Sequence, residues 1–123
     1  MDEESDMTMP LKIDARTEGE ETAVLSLAGE VDVANAEQVR DAALKLMSGG
    51  IKHLVVDLNA MEYMDSTALG MLVGLQKRMK ESGGEVAIAG PKPQIRRLFE
   101  ITGLTQVFRI YDDAAAALKE VRG

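Results

Sequence analysis

The chain contains no cysteine and no tryptophan, a single histidine, and only two tyrosines and two phenylalanines among its 123 residues. Without a thiol there can be no disulfide framework, thiolate zinc site or cysteine nucleophile, a pattern compatible with a reducing cytoplasm, and no side-chain redox chemistry is expected. An aromatic content of 3% leaves no platform for stacking bases or sugars, so the core has to be built from Leu, Val, Ile, Ala and Met. Basic residues are outnumbered, 14 Lys and Arg against 21 Asp and Glu, and the resulting net charge of -7 argues against a nucleic-acid binder, whose affinity rests on neutralising phosphates. Proteins are the expected partners. No apolar run approaches the roughly 20 residues of a membrane span, and the first nine residues are acidic where a secretory signal is basic and then apolar. A cytoplasmic protein with no membrane insertion is expected.

What is present fits one domain, because a chain of 123 residues with 46% hydrophobic composition buries roughly two-thirds of its unfolded surface. Residues 1–9 are acidic and aperiodic and read as a frayed tail that joins the fold at Pro10. Leu11, Ile13 and Ala15 alternate with Lys12 and Asp14 as in a half-buried strand. The polar stretch from Thr17 to Glu21 reads as a hairpin turn, and Ala23 to Ala28 as the returning strand, stopped by Gly29. Asn35 with Gln38 resembles a capping box ahead of a helix carrying Val39, Ala42, Ala43 and Leu46, closed by Ser48-Gly49-Gly50. The run Leu54-Val55-Val56 within Ile51 to Leu58 marks a central strand covered on both faces. A second helix starts near Ala68, with Gln76, Lys77, Arg78 and Lys80 as its polar C-terminal end and Ser82-Gly83-Gly84 as its stop. Val86 to Ala89 is a short strand, Pro93 opens a third helix that presents Ile95, Leu98 and Phe99, and Val107 to Tyr111 is the last strand. Asp112 then caps a final helix with Ala114, Ala117, Leu118 and Val121 inward. The order predicts an α/β fold: a mixed sheet with an antiparallel N-terminal hairpin and about four helices.

The functional signal lies in Asp65-Ser66-Thr67-Ala68-Leu69-Gly70, between the central strand and the second helix. Either Asp65 or Ser66 can serve as N-cap, which leaves a hydroxyl exposed beside the positive end of the helix, where an added phosphate is tolerated without unfolding. The same residues are also what an ordinary well-capped helix start requires. The apolar residues Leu69, Met71, Leu72, Val73, Leu75 and Met79 cover more of this helix than one core-facing stripe needs, so part of Ala68 to Leu75 is expected to meet a partner.

Three separated segments carry a family likeness: Gly29-Glu30-Val31-Asp32, Tyr63 to Gly70, and Arg97 to Leu104. With these, the chain resembles the STAS domain family, in particular the bacterial anti-sigma factor antagonists, from about Leu11 to Val121, and the domain is expected to span residues 10–123. The resemblance implies that Ser66, or less readily Thr67, is phosphorylated by a cognate anti-sigma factor that is also a serine kinase. It implies that the unphosphorylated form binds this kinase and frees a sigma factor, that phosphorylation ends the binding, and that a PP2C-like phosphatase reverses it. Asp32, Asp65 and Thr67 would be neighbours of the switch, and Ala68, Leu69, Met71 and Leu72 its contact surface. Ala68 departs from the glycine common in the family. Such a protein is a regulator, with no catalytic residues, cofactor or metal of its own.

Other readings exist. A STAS module can serve a larger signalling or lipid-transport assembly with Ser66 never modified. A receiver domain would use Asp57 as phosphoacceptor, yet Leu11 to Ala15 is followed by no acidic pair for Mg2+ and the last strand lacks a lysine. A serine hydrolase would need Gly-x-Ser-x-Gly, but Met64 and Ala68 occupy the glycine positions and His53 is the sole imidazole. The Gly pairs at 49–50 and 83–84 follow helices as stops and form no phosphate loop.

Overall fold

The residues Leu54, Val55 and Val56 are almost wholly buried, because the strand they belong to has a neighbour on each side and helices over each face. The computed structural model describes residues 9–122 and consists of five strands, four α-helices and one 3₁₀ turn. In chain order these are β1 (Lys12–Thr17), β2 (Thr22–Val31), α1 (Ala36–Ser48), β3 (His53–Met64), α2 (Ser66–Glu81), β4 (Glu85–Ala89), α3 (Pro93–Ile101), the 3₁₀ turn Leu104–Gln106, β5 (Ile110–Tyr111) and α4 (Ala114–Arg122). The sheet order is β1-β2-β3-β4-β5, with β1 antiparallel to β2 and every later pair parallel.

Alternation along the strands sorts side chains between two layers. Leu25, Leu27, Leu54, Val56, Val86 and Ile88 join Val39 and Ala43 of α1, Leu72, Leu75 and Met79 of α2, and Ile95 and Phe99 of α3 in the main core. Val24, Val55 and Ala89 point the other way, against Ala117 of α4. Phe99 and Phe108 meet edge to face, their ring centroids 5.8 Å apart. Burying a Leu or Met side chain of this kind contributes about 1.5–3 kcal/mol, so the main layer supplies most of the stability.

Several expectations change. β2 continues through Gly29 to Val31, since glycine with φ +92° supplies a bend there and does not end the strand. A Cβ at Gly29 would collide with the Pro10 carbonyl oxygen, and the next N–H, of Glu30, donates to the Met9 carbonyl, so the chain ahead of β1 crosses closely over this point. β3 likewise runs past Leu58 to Met64, absorbing one extra residue relative to β2 at each of two register shifts. β1 is an edge strand on which Ala15 is exposed, β5 keeps only two residues of the expected Val107 to Tyr111, and Asp113, not Asp112, receives the α4 amide of Ala116. Gln76, expected on a polar helix end, is 3% exposed and hydrogen-bonded inside. Of the expected tail, residues 1–8 lie outside the described residues. Among the described residues no helix is long and apolar enough to cross a membrane.

Candidate functional site

β3 delivers the chain to α2 through Asp65, which is extended, with φ −101° and ψ −178°, and closes the strand ladder by donating its N–H to the Val31 carbonyl at 3.3 Å. Its side chain is the helix cap: Oδ1 accepts from the Ala68 N–H at 2.9 Å. The other oxygen, Oδ2, accepts from the Val33 N–H at 3.0 Å in the loop between β2 and α1. Asp65 is therefore both a cap and a bridge. Ser66 is the first helical residue, exposed like Thr67, and neither hydroxyl makes a hydrogen bond among the described residues. Their backbone N–H groups belong to the first turn, which has no preceding helical carbonyl to bond, so an anion on the Ser66 oxygen would meet unpaired donors and the positive helix end.

The parallel register sets Val31 opposite Met64 and so brings Asp32 alongside Asp65. Asp32 is half-buried and uses Oδ1 to accept from the Ala34 N–H at 2.9 Å, while its carbonyl accepts from the Asn35 and Ala36 N–H groups at 3.1 and 2.8 Å. The expected capping box of Asn35 and Gln38 does not form. Asn35 turns back: its Oδ1 accepts from the Asp32 N–H at 2.9 Å and its Nδ2 donates to the Glu30 carbonyl at 3.0 Å. The Asx side chain is spent on folding the loop: it takes up the Asp32 N–H and the Glu30 carbonyl, while the Val31 carbonyl is met by Asp65.

Ser66 stands between two depressions. On one side a groove of about 510 Å³ runs between α1 and α2, lined by Val33, Arg40, Thr67, Met71, Gly74 and Arg78 among others. On the other, a hollow of about 540 Å³ between the end of β3 and α3 is lined by Glu62, Tyr63, Ser66, Gln94, Ile95 and Leu98. Val33 and Tyr63, 73% and 50% exposed, flank the serine with apolar surface. Glu62 is held by an ion pair with Lys92, the residue that precedes α3.

The structure thus gathers Asp32, Asp65, Ser66, Thr67 and the half-buried Met71 on one surface. It removes three of the expected contact residues: Ala68, Leu69 and Leu72 are 0%, 7% and 0% exposed and belong to the core, so between Thr67 and Leu75 the surface of α2 is left to Thr67, Gly70, Gly74 and the half-buried Met71 and Val73. The methyl of Ala68 therefore points inward, away from any partner. Sequence reasoning missed Val33 and Arg40 and did not place Tyr63 in the site. An isolated apolar residue in a loop just after an acidic strand end was the one available sign of Val33. Asp57 is no phosphoacceptor site of the receiver kind, since a receiver sheet is ordered 2-1-3-4-5 and this one is sequential with an antiparallel edge. Its Oδ1 accepts from the Asn59 N–H at 3.0 Å and pins the first bulge of β3. Among the described residues no three His, Asp or Glu side chains are grouped to hold a metal ion.

The sequence matches the STAS domain over residues 12–117. It is 33% identical over 101 residues to the anti-sigma F factor antagonist of Paenibacillus polymyxa, an alignment covering 80% of this chain and 85% of that one. The fold superimposes on an anti-sigma factor antagonist from Mycobacterium paratuberculosis with a TM-score of 0.83, at 24% identity over 93% of this chain and 96% of the other. It also superimposes on the Bacillus cell fate determinant SpoIIAA in its phosphorylated form, with a TM-score of 0.73 and 23% identity over 90% and 100% of the two chains. With the hairpin, the parallel strands and the capped α2 all in the matched span, the chain belongs to the STAS domain family.

Proposed function

We propose that this protein is an anti-sigma factor antagonist whose partner is an anti-sigma factor with serine kinase activity, and that Ser66 is the acceptor that switches binding off. The observation that carries the reading is the exposed, unbonded Ser66 at the first position of α2, with Asp65 already supplying the cap. The γ-phosphoryl group of ATP moves to Ser66 Oγ, the hydroxyl proton passes to a base of the kinase, and ADP leaves. The product adds about −1.5 to −2 charges next to Asp65 and Asp32. A partner lying across Val33, Ser66 and Tyr63 would have to desolvate that charge beside two carboxylates, which costs several kcal/mol of affinity. The domain itself keeps its fold, because the helix N-terminus favours an anion and no structural hydrogen bond of Ser66 is lost. Binding by the unmodified form frees a sigma factor in the cytoplasm, and a PP2C-like phosphatase restores that form by hydrolysing the phosphoserine. The protein is a substrate and regulator in this scheme.

The test is incubation with the anti-sigma kinase and ATP, followed by intact mass and peptide mapping. One acid-stable phosphate on Ser66 is expected, and Ser66→Ala should abolish it while binding the unmodified partner nearly as well. Phosphate mapped to Thr67 instead would overturn the assignment.

A further inference from the structure

Thr22 and Gln76 are the only polar residues buried among the described residues, and Gln76 lies on α2, in the main layer. Its Oε1 accepts from the Val86 N–H at 2.7 Å, and its Nε2 donates to the carbonyls of Val86 and Val107 at 3.2 and 3.0 Å. Val86 has the same parity on β4 as Ile88, whose N–H donates to the Arg109 carbonyl on the β5 side. β5 pairs only with Ile88 and Ala89, so the side-chain amide takes the place of strand backbone where β5 is too short to reach.

We infer that Gln76 is a positioning residue for the Ser66 face: it fixes how far α2 stands along the sheet. The other buried residues of α2 are Ala68, Leu69, Leu72, Leu75 and Met79, all apolar. Apolar contact is non-directional and tolerates a small slide, whereas three hydrogen bonds near their ideal lengths do not. Among the described residues nothing braces the helix from outside at Gly70 and Gly74, where a Cβ would find open space. Among the described residues the other polar anchor is Asp65, which ties the first turn to Val33. α2 therefore hangs between two polar fixings, one to the loop after β2 and one to β4 and the segment after the 3₁₀ turn. Because a helix transmits displacement along its axis, loss of the inner fixing moves Ser66 and Thr67 relative to Asp32 and Val33. The consequence for switching rests on Ser66 being the acceptor; the positioning does not.

The experiment compares Gln76→Met, which keeps length and removes the bonds, with Met79→Ala, which truncates a buried neighbour and leaves the amide in place. Backbone ¹⁵N–¹H spectra of the full chain should show the Ser66, Thr67 and Gly70 resonances displaced in Gln76→Met and unmoved in Met79→Ala, although both variants melt earlier. With the kinase, the rate of Ser66 phosphorylation should fall on the order of tenfold or more in the first variant, as displacement remote from the reacting atoms does, and stay within about twofold in the second. Equal displacement in both variants, or none in Gln76→Met, overturns the inference. Should Gln76→Met fail to fold, native-state hydrogen exchange of the wild type decides: the Val86 N–H, which Gln76 holds, should open together with Ala68 and Leu69, and independent opening overturns it. A wild-type chain that the kinase leaves unmodified, with the Gln76→Met resonances displaced, overturns the acceptor reading and upholds the positioning.

Discussion

The two strand-to-helix junctions at the site, β2 to α1 and β3 to α2, start from similar chemistry and end differently. Each has an Asx residue immediately before its helix, Asn35 in one and Asp65 in the other. Asp65 caps α2, and its second oxygen reaches across to Val33. Asn35 makes no cap and folds its own loop back onto Asp32 and Glu30. The carboxylate has two acceptor oxygens and can serve both duties, whereas the amide has one acceptor oxygen beside an NH2 donor, and here it takes one backbone N–H and one carbonyl. Consequently the α2 junction presents an unoccupied hydroxyl from a capped helix start, while the α1 junction is a folded loop tied to it through Val33. The proposed modification falls on the first junction, and the exposed Val33 lies on the second.

Three substitutions probe this division. The largest effect is expected from Ser66→Asp, which places charge at the α2 junction: affinity for the anti-sigma factor should fall on the order of a hundredfold, about 2.7 kcal/mol, while the melting temperature stays within a few degrees. Paired titration and scanning calorimetry measure both, and an unchanged affinity would break the proposed role of the α2 junction. Next is Asp65→Ala, which removes a cap worth about 1 kcal/mol and a charge-assisted bond of similar size, for a total of about 2 kcal/mol in denaturant unfolding. Hydrogen exchange should accelerate at Val33 as well as at Ala68; acceleration at Ala68 alone would mean that the bridge carries nothing and the junctions are independent. The smallest is Asn35→Ala, at about 1 kcal/mol, with faster exchange at Asp32 and no loss of α1 helicity by circular dichroism, because no helix cap is removed. Fraying of α1 would erase the contrast between the junctions.

Much of this was readable from residue order. The apolar run Leu54-Val55-Val56 announces a strand buried on both faces, and Asp65 before an apolar helix announces a cap. Strand ends were less legible. Gly29 and the polar residues after Leu58 look like terminators locally, yet the pairing of β2 with β3 carries both strands further and absorbs the mismatch in bulges. Gln76 looked like surface because amides usually are; its burial depends on the shortness of β5, which leaves the Val86 N–H and carbonyl in need of a partner. Ala68, Leu69 and Leu72 looked available to a partner because the apolar stripe of α2 is wider than one core face, and only the packing of α1 and the sheet against it shows how much of that stripe is used.

By itself the sequence determined the class of the fold, the helix start at Asp65 and the presence of a hydroxyl beside it, since periodicity and capping act over a few residues and depend on neither topology nor partner strands. The family likeness was equally present in the three separated segments that the STAS match spans. Tertiary structure alone decided that Asp32 stands beside Asp65, that Val33 and Tyr63 flank Ser66, and that Gln76 anchors α2 from within. Those relations join residues tens of positions apart, and they exist only when parallel register and the length of each strand are settled by the packing of the whole sheet.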